Sequence, residues 1–474
     1  MMEFGCVFWK VLFRDVRGYG ALLMLLLRFV VGGNRGGMYF EIGARLSTLP
    51  RLLTSHEGEY TTGWTGMGGS TSDKKVGVVA LTLFDLRSRG KVGSLSMAGT
   101  NGTKFPQIRS HLLQNITQVY NNLSTTFTSF PSDAIARDPE AYKTAIEALS
   151  PGDAVTIFTP DSTHFPIALY AIERGLHVLL TKPAVKTLAE HYALLTAAKK
   201  HKVFVYIEHH KRFDPAYADA RHRAKHIGEF GYFNAYMSQP KSQLETFKAW
   251  AGMESDISYY LNSHHIDVHA SMVLPLGWIP VSVTASAATG TAEELGCVPG
   301  TEDTITLLVS WQKETPSSES PSSDKSPPTP RTATAVYTAS WTAPQNSGVW
   351  SHQYFHYLAS RGEIRIDQAK RGYESTTDAT GIAWVNPFYM RYAPDEETGG
   401  FAGQEGYGYK SIEKFVDVCG RVNGGESVEG WEGRGLPTLA ETVVVTAILE
   451  AGRRSLDEGR TVGVRRVKGR WGLV

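Results

Sequence analysis

The sequence predicts an α/β protein: a Rossmann-type doubly wound parallel sheet, followed by an α/β domain with a large open, mainly antiparallel sheet. Three observations carry this. From about Asp73 onward, apolar runs of strand length alternate with longer stretches of helical period, the signature of βαβ units. Past Arg212 the strands lengthen and their apolar residues alternate, as in an antiparallel sheet with one covered face. The length of 474 residues exceeds what one compact core usually supports. The expected divisions are an extension at 1–52, the parallel-sheet domain at 53–212 and the second domain at 213–474.

In chain order, residues 75–89 read as a helix closed by Gly90, 93–99 as a strand and 105–121 as a helix. A short helix at 141–149 leads to 153–159, a strand apolar enough to be buried on both faces. The unit then repeats, with a helix at 164–174, a strand at 175–182, a helix at 187–200 and a strand at 203–207. Upstream, 50–55 (PRLLTS) is a poor strand. In the second domain, alternating strands fall at 231–238, 281–288, 304–312 and 332–341. Between the last two, 315–330 is rich in Ser and Pro, cannot bury a core, and reads as a disordered hairpin insertion. Residues 438–458 form an amphipathic helix whose apolar stripe must dock on a partner surface.

Lys+Arg 48 against Asp+Glu 47 leaves a net charge of +1. That balance excludes a partner held by concentrated basic charge, such as nucleic acid or an acidic membrane, and favours a small molecule. The three cysteines, Cys6, Cys297 and Cys419, are too widely spaced for a disulfide framework, so a reducing, cytoplasmic setting is the default. The apolar run at 19–33 follows Lys10, Arg14 and Arg17. Arg28 interrupts it, leaving it short of the roughly 20 residues that span a bilayer, so stable membrane insertion is not expected. Three readings of residues 1–52 stay open: an extension without a folded role, a targeting segment, or a start that replaces the true first strand.

The turn at 57–63 (EGEYTTG) supplies Gly58 and Gly63 where a backbone could press against a pyrophosphate. Tyr60 lies between them, and the Thr61 and Thr62 hydroxyls and amides are candidate donors. His56 stands where the first glycine of a dinucleotide fingerprint belongs, and a plain surface turn is the competing reading. The next strand ends in Asn101, Gly102, Thr103 and Lys104. Small polar residues and a lysine there, rather than an acidic residue, leave room for a 2′-phosphate, which favours NADP(H) with NAD(H) still open; an ordinary Asn-Gly turn competes. Two further strand ends carry Thr159, Pro160, Asp161 and His164, and then Lys182 and Pro183. A lysine at such an edge can polarise a substrate oxygen, although a solvated loop lysine is the commoner case.

These pieces, in this order and spacing, resemble the Gfo/Idh/MocA oxidoreductases. Thr159-Pro160 with His164, then Ala171, Gly175, His177-Val178-Leu179, Lys182-Pro183 and Glu190, look like that family's TPxxxH…A…G.HVL.EKP…E stretch. Arg212-Phe213-Asp214-Pro215 and the helical end near Glu458-Gly459-Arg460 extend the likeness over roughly 57–463. Thr181 replaces the usual Glu. Tyr260 stands where the family's D-x-x-x-H-x-x-D element, here 260–267, begins with Asp. The resemblance implies nicotinamide-dependent hydride transfer with a sugar or sugar acid. Lys182 would hold the reacting oxygen and His264 exchange the proton. Asp267 would orient His264, and Arg212, Tyr260, Asn262 and His265 would grip the substrate. Similarity to members labelled D-galacturonate reductases implies a uronic acid reduced with NADPH, with Arg212 or Lys104 as carboxylate partner. A homodimer or homotetramer is also implied. The alternative is a catalytically impaired paralogue or ligand sensor, its cofactor binding weakened by His56. A metal site built from His265, His269, Glu208, His209 and His210 lacks a fixed third ligand and is not expected.

Overall fold

The computed structural model describes residues 52–54, 58–65, 68–70, 74–314, 329–371, 373–379 and 381–474. His56, the apolar run at 19–33 and residues 315–328 therefore lie outside the described residues. The first sheet is six-stranded and wholly parallel: β1 (Leu52–Thr54), β2 (Leu95–Ala98), β3 (Thr128–Phe130), β4 (Ala154–Ile157), β5 (His177–Thr181) and β6 (Val205–Glu208), in the order β3-β2-β1-β4-β5-β6. This is the doubly wound arrangement, with its switch between β1 and β4. The poor strand is in fact a central one. Leu52 pairs with Leu95 on one side and Ala154 on the other, and flanking strands supply what a three-residue run cannot show as periodicity.

Helices α1 (Glu59–Thr62), α2 (Val79–Ser88), α3 (Phe105–Leu112), α4 (Ala141–Glu147), α5 (His164–Glu173) and α6 (Leu188–His201) connect these strands. Because β5 is buried on both faces, its side chains divide between two cores. Val178 and Leu180 join α4, α5 and α6 through Ile146, Ile172 and Leu194, whereas Leu179 joins α2 and α3 through Phe84 and Ile108.

The second sheet has eight strands: β7 (Phe230–Pro240), β8 (Trp278–Thr289), β9 (Glu302–Lys313), β10 (Thr332–Ala343), β11 (His352–Ala359), β12 (Gly362–Asp367), β15 (Val462–Val467) and β16 (Arg470–Leu473), ordered β12-β11-β7-β10-β9-β8-β15-β16. Its pairs are antiparallel except β7 with β10. β9 and β10 are direct antiparallel neighbours, so the Ser/Pro-rich segment joins the two arms of a hairpin. A separate hairpin, β13 (Glu374–Thr377) and β14 (Gly381–Trp384), follows β12. The helices of this half are α7 (Pro215–Ala224), α8 (Leu244–Phe247), α9 (Ser263–Val273), α10 (Thr291–Glu294), α11 (Tyr407–Asn423) and α12 (Val443–Glu458). α12 is the amphipathic helix, and its Val444, Ile448 and Leu449 pack into the core under the sheet with Leu307 and Trp311. α11 returns to the parallel sheet instead. Its Ile412, Phe415 and Val416 share the core of α2 and α3, and Phe415 stacks on Phe204 at 6.2 Å between ring centroids.

Candidate active site

A cleft of about 900 Å³ opens at the carboxyl edge of the parallel sheet, where open α/β sheets place their ligands. Tyr60 reaches it from α1, Thr159, Pro160 and Asp161 from the end of β4, Lys182 from the end of β5, and Glu208, His210 and Lys211 from the end of β6. Tyr260, Leu261 and His264, around the start of α9, line the same cleft. The sequence thus separates Lys182 and His264 by more than eighty positions, and the fold brings them to one cavity.

Lys182 follows a strand buried along its length and precedes Pro183, to which its peptide is cis. Its Nζ donates to the Tyr260 carbonyl and lies 4.1 Å from the Tyr260 ring centroid. Burial lowers its pKa to about 8, with Lys74 acting in the same direction and Asp161 and Glu208 opposing. A half-buried ammonium whose pKa is lowered toward neutrality suits a group that meets developing negative charge. His264 stands just after a π-helical turn at Ser258–Asn262, a local widening common at functional sites. Burial, then Lys182 and Lys211, hold its pKa well below the usual imidazole value, and among the described residues its Nδ1 has no hydrogen-bond partner.

His164 sets the two strand ends. It is fully buried, and its ring nitrogens lie 2.9 Å from the carbonyl oxygens of Pro183 and Thr159. That ties the Thr159-Pro160 loop to the Lys182-Pro183 loop. On the far side, Asp161 accepts from Ser255 and Tyr259 Oη donates to the Lys186 carbonyl at 2.9 Å.

Other sequence-predicted residues sit elsewhere. The Thr61 and Thr62 amides donate to the Gly58 carbonyl at 3.0 and 2.9 Å, and the Thr62 hydroxyl donates to the same oxygen at 3.2 Å, so these donors close their own turn. Gly63, at φ 76°, ends it. A Cβ on Gly63 would lie 2.5 Å from the Lys75 carbonyl oxygen, so close backbone approach requires this glycine. Asn101 Oδ1 accepts from the Thr103 amide and hydroxyl at 2.9 and 2.7 Å, capping the turn that Lys104 ends. A Cβ on Gly102 would meet the Ser132 carbonyl oxygen. These residues lie at the carboxyl end of β2, and none lines the cleft.

Four of the expected site residues make other contacts. Arg212 is buried with its guanidinium on Asp267, Nε to Oδ2 at 2.8 Å and Nη2 to Oδ1 at 2.6 Å, and its Nη1 reaches Glu441 and the Gly435 carbonyl. Asp267 therefore serves Arg212 and makes no bond to His264. His265 Nε2 faces Tyr217 Oη at 3.3 Å, and Asn262 donates to Ser258 and the Ile305 carbonyl. None of the four lines the cleft; His265 and Asp267 belong to a helix whose residues are nearly all buried, and Arg212 and Asn262 sit on the buried turns at His210–Phe213 and Ser258–Asn262. Of the four residues expected to grip substrate, Tyr260 alone lines the cleft. His269 is a core residue, stacked on Phe233 at 4.1 Å.

The sequence reading missed the other wall. Trp250, Trp350, Trp384, Tyr389 and Tyr407 line the cleft from loops and element ends whose spacing carries no period. Glu208, His210 and Lys211 do carry a signal, since charged residues at and directly after a fully buried strand mark a carboxyl edge, although of these the sequence suggests Glu208 and His210 only as candidate metal ligands. In the fold His210 Nδ1 lies 2.9 Å from Glu208 Oε2.

Fold and cleft together define a nucleotide-type α/β protein whose parallel sheet faces an open mixed sheet across its ligand edge. Residues 92–209 match the family described as "Oxidoreductase family, NAD-binding Rossmann fold". The chain is 36% identical over 111 residues to scyllo-inositol 2-dehydrogenase (NAD(+)) of Bacillus subtilis, covering 23% of this chain and 32% of that protein. It is 31% identical over 145 residues to UDP-N-acetylglucosamine 3-dehydrogenase of Acidithiobacillus ferrooxidans, covering 31% and 42%. The chain thus spans less than half the length of the curated relatives it matches. Scyllo-inositol dehydrogenase of Lactobacillus casei, solved with NAD(H) and scyllo-inositol, shares the fold at a TM-score of 0.56 and 13% identity over 87% of this chain and 98% of that one. Among the described residues no helix is long and apolar enough to cross a membrane.

Proposed function

We propose that this protein is a nicotinamide-dependent oxidoreductase acting on the carbinol or carbonyl carbon of a sugar, polyol or sugar acid. The observation that carries the reading is the meeting of Lys182 and His264 on one cleft at the carboxyl edge of the parallel sheet. The cavity suits a nicotinamide group on its own chemistry: besides Lys182 it presents buried polar atoms, Glu208 Oε1 and His264 Nδ1, that have no hydrogen-bond partner among the described residues. Thr159, Pro160, Asp161, Lys182 and Pro183 would hold the nicotinamide half, with Tyr60 beside them. The turn from Gly58 to Gly63 would take the pyrophosphate, and Asn101 to Lys104 the adenosine ribose, where Lys104 favours NADP(H). When bound, the nicotinamide supplies or accepts the hydride. Lys182 polarises the substrate oxygen and His264 exchanges its proton. A uronic acid reduced with NADPH is the finer assignment. Exposed Leu308, Tyr354 and Leu358 on the outer face of the open sheet suit pairing with a second copy.

The test is direct. Titration with NADPH and with NADH, followed by the fluorescence of the ten tryptophans, is expected to saturate below millimolar cofactor, with NADPH the tighter. Failure of both to saturate favours the sensor or impaired-paralogue reading. With turnover in hand on a panel of uronic acids and polyols, Lys182→Ala is expected to lower kcat by about 10²- to 10³-fold while cofactor still binds.

A further inference from the structure

Resting on the oxidoreductase reading, we propose that Glu208 and His210 form a carboxylate–histidine dyad that relays the proton between His264 and solvent, so that His264 is a transit point and His210 the store. Three geometric observations point to it. The carboxylate expected to serve His264 is taken: Asp267 holds Arg212 through two bonds of 2.8 and 2.6 Å. His210, by contrast, has a carboxylate of its own, with Nδ1 at 2.9 Å from Glu208 Oε2 in a buried pair. Its ring centroid lies 5.1 Å from that of His264, and both rings line the cleft.

The packing fixes the ring. Tyr407 stacks on it nearly parallel, at 5.5 Å and 20°, and Tyr389 leans on it at 5.8 Å. With Nδ1 committed to Glu208, the nitrogen left for exchange is Nε2. Around the two imidazoles, the end of β5 supplies Lys182, and the turn after β6 supplies His209 and Lys211. Each of these, like His210, disfavours charge on His264, and Glu208 is the carboxylate bonded within the pair. Tyr60, Tyr389 and Tyr407 complete the surround.

In the oxidation direction the substrate O–H bond breaks, and its proton goes to His264, then through a water or substrate hydroxyl to His210 Nε2, then to solvent. The C–H bond on the carbon bearing that oxygen would break as its electron pair leaves as hydride for the oxidised nicotinamide, and the O–H electron pair would become the carbonyl π bond. Reduction runs the same steps backwards. Glu208 keeps its proton count throughout and offsets the charge on the His210 imidazolium.

His210 and Glu208 act through His264 and are positioning and relay residues, so the test needs readouts that a structural role would not move. The variants are Glu208→Gln, Glu208→Asp and His210→Asn, each checked for an unchanged melting profile and assayed at saturating cofactor. Expected for Glu208→Gln is a roughly 10- to 100-fold fall in kcat, a displaced pH profile of kcat and a larger solvent deuterium effect, with Glu208→Asp recovering part of each. Nitrogen-15 imidazole NMR is expected to show the His210 Nδ1–H resonance, held on the Glu208 carboxylate in wild type, displaced in Glu208→Gln. An unchanged pH profile in an active, folded Glu208→Gln enzyme overturns the relay alone, as does an unmoved His210 Nδ1–H resonance. Wild-type protein that binds neither nicotinamide, or turns over none of the panel, overturns the oxidoreductase reading and the relay with it. Should one variant misfold, the remaining two decide by the same readouts.

Discussion

Arg212 shows how one residue's surroundings settle its role. A cation near the cleft invites the reading that it grips substrate, yet this guanidinium is engaged by Asp267, Glu441 and a backbone carbonyl. Burial alone would raise the Asp267 carboxyl, but Arg212 and His209 overcome it and hold the group below the usual carboxylate range. The buried carboxylate therefore depends on Arg212 for its charge. Arg212→Ala leaves a buried carboxylate unpaired and is expected to cost about 3–5 kcal/mol of stability in urea unfolding. Replacing both with apolar residues of similar volume, as in Arg212→Met with Asp267→Leu, is expected to recover most of that loss. A single Arg212→Ala variant as stable as wild type would instead mean that the guanidinium carries no structural duty.

At the scale of elements, α11 is the most consequential part of the fold that the sequence leaves unread. Two glycines, Gly408 and Gly420, lower its helix propensity, and its aromatic start, Tyr407-Gly408-Tyr409, follows a long stretch without period. Nothing local shows that it closes the second face of a sheet whose last strand lies two hundred residues earlier. Phe415 packs against Phe204 and Tyr206, so Phe415→Ala is expected to destabilise the protein by about 3–5 kcal/mol; a cost under about 1 kcal/mol, typical of surface positions, would show that the helix is not part of this core. β1 was unread for the opposite reason, being too short to show a period. The legible elements were β4, β5 and β6 and the helices between them, because strands buried on both faces are unbroken apolar runs. The site divides likewise. Lys182 and Tyr60 sit at ends of recognisable units. Glu208, His210 and the aromatic wall depend on which loops the topology brings together, and α9 hides its inward face because the whole helix is buried.

Across the whole molecule, buried histidines link these elements and make stability depend on pH in a definite direction. His191 joins α6 to the segment leading into α12, with Nε2 donating to the Leu439 carbonyl at 2.7 Å and Nδ1 accepting from Thr446 at 2.8 Å. Burial lowers its pKa to about 4. Burial likewise takes His209 to about 4 and His265 to about 3. In the unfolded chain each titrates near the ordinary imidazole value of about 6.5. Between that value and the folded pKa the unfolded state binds protons that the native state does not, so stability is full above pH about 6.5 and falls as pH drops through the window. The loss per histidine reaches on the order of 3 kcal/mol once pH approaches the folded value. Urea midpoints are therefore expected to fall steeply between pH 7 and 4.5. His191→Gln, which keeps a donor and an acceptor but no titration, is expected to remove up to one proton's worth of that slope, about 1.4 kcal/mol per pH unit. Parallel pH dependence in the variant and wild type would mean that His191 is not among the groups whose protonation opens the fold.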